Sequence, residues 1–115
     1  MRRGEIVVVN LDPVLGSEAA KSRPAVVVSN DGANATAARL GRGVVTVVPV
    51  TTSIDRIYPF QVLLPSAVTG LRHDSKAQAE QVRSVSVGRV GARIGHLTPD
   101  LLAALDNALR LHLAL

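Results

Sequence analysis

This sequence of 115 residues predicts a mainly β fold that ends in an α-helix, a small barrel being the simplest form. Three observations carry that prediction. Short runs rich in valine, isoleucine and threonine recur along the chain, cut by Gly, Pro, Asn and Asp. The stretches between them are long and polar. Leucines at clear helical spacing occur only in the last segment.

The first run, "GEIVVVNLDP", is apolar and ended by Asn10, Asp12 and Pro13, which makes it a strand by its punctuation. "VLGSEAAKS", Val14 to Ser22, is small and polar, hence a loop. "RPAVVVSND" opens the second strand. Pro24 pushes the residue before it toward extended geometry, so the Arg23 guanidinium is held at the mouth of a strand. The unbroken valines imply burial on both faces or a barrel wall.

"DGANATAARLGRG", Asp31 to Gly43, admits a helical turn. "VVTVVPVTT", Val44 to Thr52, is the third strand, and Pro49 demotes its far end to an edge or a bulge. "FQVLLP" is the fourth. "SKAQAEQVRSVSV", Ser75 to Val87, reads as a fifth strand with a slip near Gln81, and "GRVGARIGHL" is short and Gly-rich. The final helix has Thr98 as N-cap, Pro99 at its first position and Asp100 in its first turn. Leu102, Leu105, Leu109 and Leu113 then form one apolar stripe.

Composition narrows the function classes. Residues 1–115 form one domain by length, with 47% hydrophobic residues to build a core. No apolar run approaches the ~18–20 residues of a membrane helix. Zero cysteine fits a reducing, cytoplasmic setting. Metal ligation has no local signature: there is no Cys, and His73, His96 and His112 are scattered without HxH or HExxH spacing. "GRG" at Gly41–Gly43 is too short for a phosphate loop. The net charge of +4, mostly from arginine, permits a polyanionic partner.

One constellation points to chemistry. Arg23 stands where a loop enters a strand, and Thr51, Thr52 and Ser53 stand where another strand leaves the sheet. In a small barrel such ends share a rim. A guanidinium fork beside a neutral hydroxyl donor suits a phosphate. The plain alternative is that Arg23 pairs with Glu18 and the threonines only obey strand propensity.

Resemblance adds to this. "GEIVVVNLDPVLGSEAAKSRPAVVVSND" resembles the N-terminal half of the MazF/PemK toxins, the ribonucleases of type II toxin–antitoxin pairs. "VTVVPVTTSIDRIYPFQVLL" and "DSKAQAEQVRSV" are similar to that family's later blocks, in the same order. The resemblance implies an SH3-like barrel in a cytoplasmic homodimer that needs no metal and no cofactor. It implies sequence-specific cutting of single-stranded RNA (mRNA, tRNA or rRNA) to 2′,3′-cyclic phosphate and 5′-hydroxyl ends. Translation and growth would be inhibited, and a cognate antitoxin would block the groove. Arg23 and Thr51 map onto the catalytic pair. Gly16, Ser17, Glu18, Thr52, Ser53, Tyr58 and Gln81 map onto RNA-binding positions. The chain departs from many relatives at Val7, Val8 and Val9, where aromatic residues are common, and at Asn10, where Asp is more usual. A gyrase-binding toxin of the same fold, without nuclease activity, is the alternative.

Overall fold

The valine runs become the centre of an antiparallel sheet. The computed structural model describes residues 1–11 and 22–115. The strands are β1 (Glu5–Asn10), β2 (Ser22–Val27), β3 (Val44–Thr51), β4 (Gln61–Leu64), β5 (Ser75–Gln78), β6 (Arg83–Ser86) and β7 (Val90–His96). The helices are α1 (Asp31–Leu40), α2 (Ser66–Thr69) and α3 (Pro99–Leu113). Neighbours run in the order β4-β5-β3-β2-β1-β7, with β6 also paired to β3. Among the described residues no ladder joins β4 to β7, so the sheet is open by its hydrogen bonds.

Strand β3 organises the sheet. One edge pairs with β2 from Val47 to Pro49. The other pairs with β6 over Val44–Val47 and then with β5 at Val50 and Thr51. Pro49 is the last residue paired with β2, so the end of β3 becomes an edge on that side, as its missing N–H requires.

Alternation along the strands splits the core in two. Ile6, Val26, Val48 and Val50 face Leu64, Leu97, Leu105 and Ala108, under α3. Val7, Val9, Ala25, Val27, Val45 and Val47 face the other way, with Ala37 of α1 and Val85 of β6. Val9, Val26, Val27, Val47 and Val48 are wholly buried, each worth about 1.5–3 kcal/mol.

Helix α3 starts as expected, with the Leu101 N–H donating to Thr98 Oγ1 at 3.3 Å. Its leucine stripe is only partly used: Leu105 is buried but Leu113 is exposed. Three expectations need correction. The Asp31–Gly43 stretch holds a ten-residue helix, not a single turn. Asn30 caps it by accepting from the Ala33 N–H at 2.8 Å, and Gly41 ends it at φ 66°. The expected fifth strand is two strands, parted by a 3₁₀ turn at Ala79–Gln81, where the slip was expected. The Gly-rich stretch contains β7, seven residues long. Its glycines allow backbones to meet: a Cβ on Gly95 would stand 2.1 Å from the Thr69 carbonyl oxygen.

Candidate active site

Arg23 is the second residue of β2 and is exposed, with Val9 of β1 beside it. Pro24 follows and fixes its approach. Thr51 is the last residue of β3 and half-buried. The β2–β3 ladder pairs Val27 with Val47, Val26 with Val48 and Ala25 with Pro49. The paired ladder ends at Pro49; Arg23 and Thr51 lie two residues beyond it on their own strands, on the side-chain face shared with Ala25 and Pro49.

That face opens into a cavity of about 330 Å³ lined by Leu11, Arg23, Pro49, Gln78, Gln81 and Arg83. Its walls are mainly polar: two guanidiniums and two amides. Local structure explains the convergence. The β3–β5 pairs, Val50 with Ala77 and Thr51 with Lys76, continue to Pro49 beside Gln78. The 3₁₀ turn then redirects the chain so that Gln81 and Arg83 reach the same space. Such a set of donors fits a sugar–phosphate anion.

The remaining candidates occupy a neighbouring loop. The Thr51 hydroxyl accepts from the Ser53 N–H at 3.2 Å, which folds the chain back as it leaves β3. Thr52 and Ser53 are exposed. Tyr58 is 42% exposed. Its ring stacks on Phe60 with centroids 5.4 Å apart and planes 4° from parallel. The Arg56 guanidinium lies 5.6 Å from the Tyr58 ring centre. A flat aromatic surface backed by a cation is a platform for a base.

Two side chains tie this platform to the polar cavity. The Gln61 Oε1 accepts from the Tyr58 N–H at 3.1 Å, and its Nε2 donates to Glu80 Oε2 at 2.7 Å. Glu80 belongs to the turn that carries Gln81. Lys76 Nζ donates to the Arg56 carbonyl at 2.6 Å. Thus the structure gathers Arg23 and Gln81 in one cavity, leaves Thr51 outside its lining, two residues beyond Pro49, and sets Tyr58 on a neighbouring loop. Gly16, Ser17 and Glu18 lie outside the described residues.

Sequence reasoning missed Lys76, Gln78 and Arg83 as site residues. Each is polar and sits on a short strand, where local pattern alone reads as a solvated face. The signal available was the strand slip at Gln81, which brings Gln78, Gln81 and Arg83 into one short segment.

A model of the PemK-like, MazF-like toxins of type II toxin–antitoxin systems matches residues 2–113. The chain belongs to this family. It is 64% identical over 115 residues to the endoribonuclease MazF9 of Mycobacterium tuberculosis (strain ATCC 25618 / H37Rv), spanning 100% of this chain and 98% of that one. The crystal structure of MazF from Deinococcus radiodurans superposes with a TM-score of 0.77 at 26% identity, covering 100% of this chain and 97% of that chain. A MazE–MazF crystal structure from the same organism gives 0.74 at 26% identity, with coverage of 100% and 97%. The valines at positions 7–9 have a structural account. Val7 and Val9 are buried in the second core cluster, while Val8 lies half-buried on the opposite face.

Proposed function

We propose that this MazF-family chain is an endoribonuclease that cuts single-stranded RNA at a short sequence, without a metal ion. The products would carry 2′,3′-cyclic phosphate and 5′-hydroxyl ends. The observation that carries this reading is the polar cavity in which Arg23 and Arg83 meet the amides of Gln78 and Gln81, with Thr51 two residues along β3 from Pro49 of its wall.

In this reading the RNA's own 2′-oxygen attacks phosphorus. The P–O5′ bond breaks, and the departing 5′-oxygen takes a proton from solvent. Negative charge grows on the phosphoryl oxygens, where fixed cationic donors contribute most. Arg23 is the clamp on those oxygens and Thr51 donates its hydroxyl to one of them. Arg23 serves in this reading as a fixed cationic donor and not as a base. The acceptor of the 2′-hydroxyl proton is left open in this reading, with Glu18, five residues before Arg23 in the sequence, as one candidate. Thr52, Ser53, Tyr58, Gln81, Gly16 and Ser17 hold the flanking nucleotides, with Tyr58 as the stacking surface.

The reading extends to biology through the family. Residues 1–115 act as one unit: a cytoplasmic, homodimeric toxin that silences translation by cutting mRNA, tRNA or rRNA. A cognate antitoxin holds it in check, in keeping with the MazE–MazF structures. The SH3-like barrel belongs to the same reading, supported by the way β3 changes partners from β6 to β5 along one edge.

The test is cleavage of a mixed single-stranded RNA in EDTA, with the ends mapped by sequencing and by kinase labelling of 5′-hydroxyls. Metal-independent cuts at a recurring short sequence are the expected result. No cuts by a folded protein, together with inhibited gyrase supercoiling, would replace this reading with the non-nuclease toxin.

A further inference from the structure

The rim formed by Arg23–Pro24 and Thr51–Thr52 has two sides. Successive side chains of a strand point to opposite faces. Arg23 lines the polar cavity, and its neighbour Pro24 lines a second cavity of about 320 Å³. Thr52, Leu71, Arg72, His73 and Ile94 complete the working part of its wall. We propose that this second cavity holds one nucleobase of the RNA strand crossing the rim, and so sets base preference at one position beside the cut. The inference rests on the endoribonuclease reading and deepens it.

Three features favour a nucleobase. The first is continuity. Pro24 and Thr52 are the chain neighbours of Arg23 and Thr51, so an RNA strand held on the rim has this cavity on its other flank. The second is chemistry. Pro24, Leu71 and Ile94 give apolar walls, while Arg72 and His73 are exposed and lie in the turn before β5. A guanidinium plane and an imidazole are groups that stack on an unpaired base and hydrogen-bond to its edges. The third is size. The volume stands at the small end of ligand pockets, suited to one planar ring system with its sugar.

The wall is also held in place before anything binds. The Ser66 N–H donates to Asp74 Oδ1 at 2.8 Å, pinning α2 to the turn that carries Arg72 and His73. Thr69 Oγ1 donates to the Pro65 carbonyl at 2.8 Å and accepts from the Leu71 N–H at 3.3 Å. Ser75 Oγ donates to the His73 carbonyl at 2.9 Å. On the far side, Gly95 lets β7 lie against the Thr69 carbonyl. A fixed pocket gives up less freedom when it closes on a base.

The test uses the full chain and a randomised single-stranded RNA pool, with all cut ends sequenced. Wild type is compared with Arg72→Ala, His73→Ala and Ile94→Trp, the last filling the cavity. The expected result is flattened base preference at one and the same position beside the cut in all three. KM should rise about tenfold, the size of one lost stacking contact, with KM affected more than kcat. A general loss of stability would weaken every position together and would not produce this signature. Wild-type cleavage with unchanged preference in both Arg72→Ala and His73→Ala overturns the inference, whatever Ile94→Trp does. Absence of RNA cleavage by the wild type overturns the parent reading and this inference with it.

Discussion

Lys76 pairs with Thr51 across the β3–β5 ladder, yet its ammonium reaches past that strand to the Arg56 carbonyl, 2.6 Å away. The residue is only 8% exposed. A buried ammonium therefore spends a hydrogen bond on holding the loop that carries Tyr58. Lys76→Met keeps the volume and removes the desolvated charge, so global stability should stay within about 1 kcal/mol. The loop should nevertheless loosen. Amide hydrogen exchange is expected to quicken at Ile57 and Tyr58 and to stay unchanged in β1 and β2. Equal protection in both proteins would show that Lys76 does not anchor the loop.

The stacked rings make a separate prediction. Tyr58 is exposed and lies against Phe60, with Arg56 above it. Tyr58→Ala should leave the thermal transition nearly in place while weakening RNA binding by about 1–3 kcal/mol, the worth of one base–aromatic stack. Tyr58→Phe keeps the ring and should bind almost as wild type. Titration of each variant with a 2′-deoxy oligonucleotide that cannot be cut measures this without catalysis.

Asp74 contributes to stability on the acid side. Its carboxylate accepts from the Ser66 backbone N–H and then from the Ser66 side chain, which hold its pKa below the ordinary 3.8. A lowered folded-state pKa means the charged form is favoured on folding. That contribution is complete above the unfolded pKa and is lost as pH falls through the folded one. Asp74→Asn should therefore flatten the decline of Tm below about pH 5. Parallel Tm–pH curves for wild type and variant would contradict it.

Gly95 tolerates no side chain. A Cβ there would meet the Thr69 carbonyl oxygen at 2.1 Å, and a backbone atom cannot swing aside. Gly95→Ala should cost about 1–3 kcal/mol by overpacking. A urea titration reads this directly. A midpoint equal to wild type would mean that β7 and α2 do not approach so closely.

Legibility in the sequence follows burial. The valine strands announce themselves because both of their faces are covered, and α3 does so because Thr98, Pro99 and the leucines agree. Helix α1 is faint because its buried positions are Asn34 and Ala37, one polar and one small. Asn34 finds its partners only in the fold, through the backbone and hydroxyl of Ser29. Strand β7 is faint because its residues are mostly exposed and it carries Gly91 and Gly95 for close backbone contact. At the site, Arg23 shows through its bond to Pro24, a local effect. Lys76, Gln78 and Arg83 acquire meaning only from strand register, which no short stretch of sequence contains.

The proposed role of Arg23 is to clamp the scissile phosphate, with Thr51 as a second donor. Single-turnover cleavage of one mapped RNA site, in EDTA, by wild type and by Arg23→Ala tests it most directly, with circular dichroism to establish that both are folded. The exposed position of Arg23 predicts an intact fold and a loss of about 10²–10³-fold in rate, the scale of one removed oxyanion-type donor. A folded Arg23→Ala protein that cuts within about threefold of the wild-type rate, far short of such a loss, would take Arg23 out of the reaction.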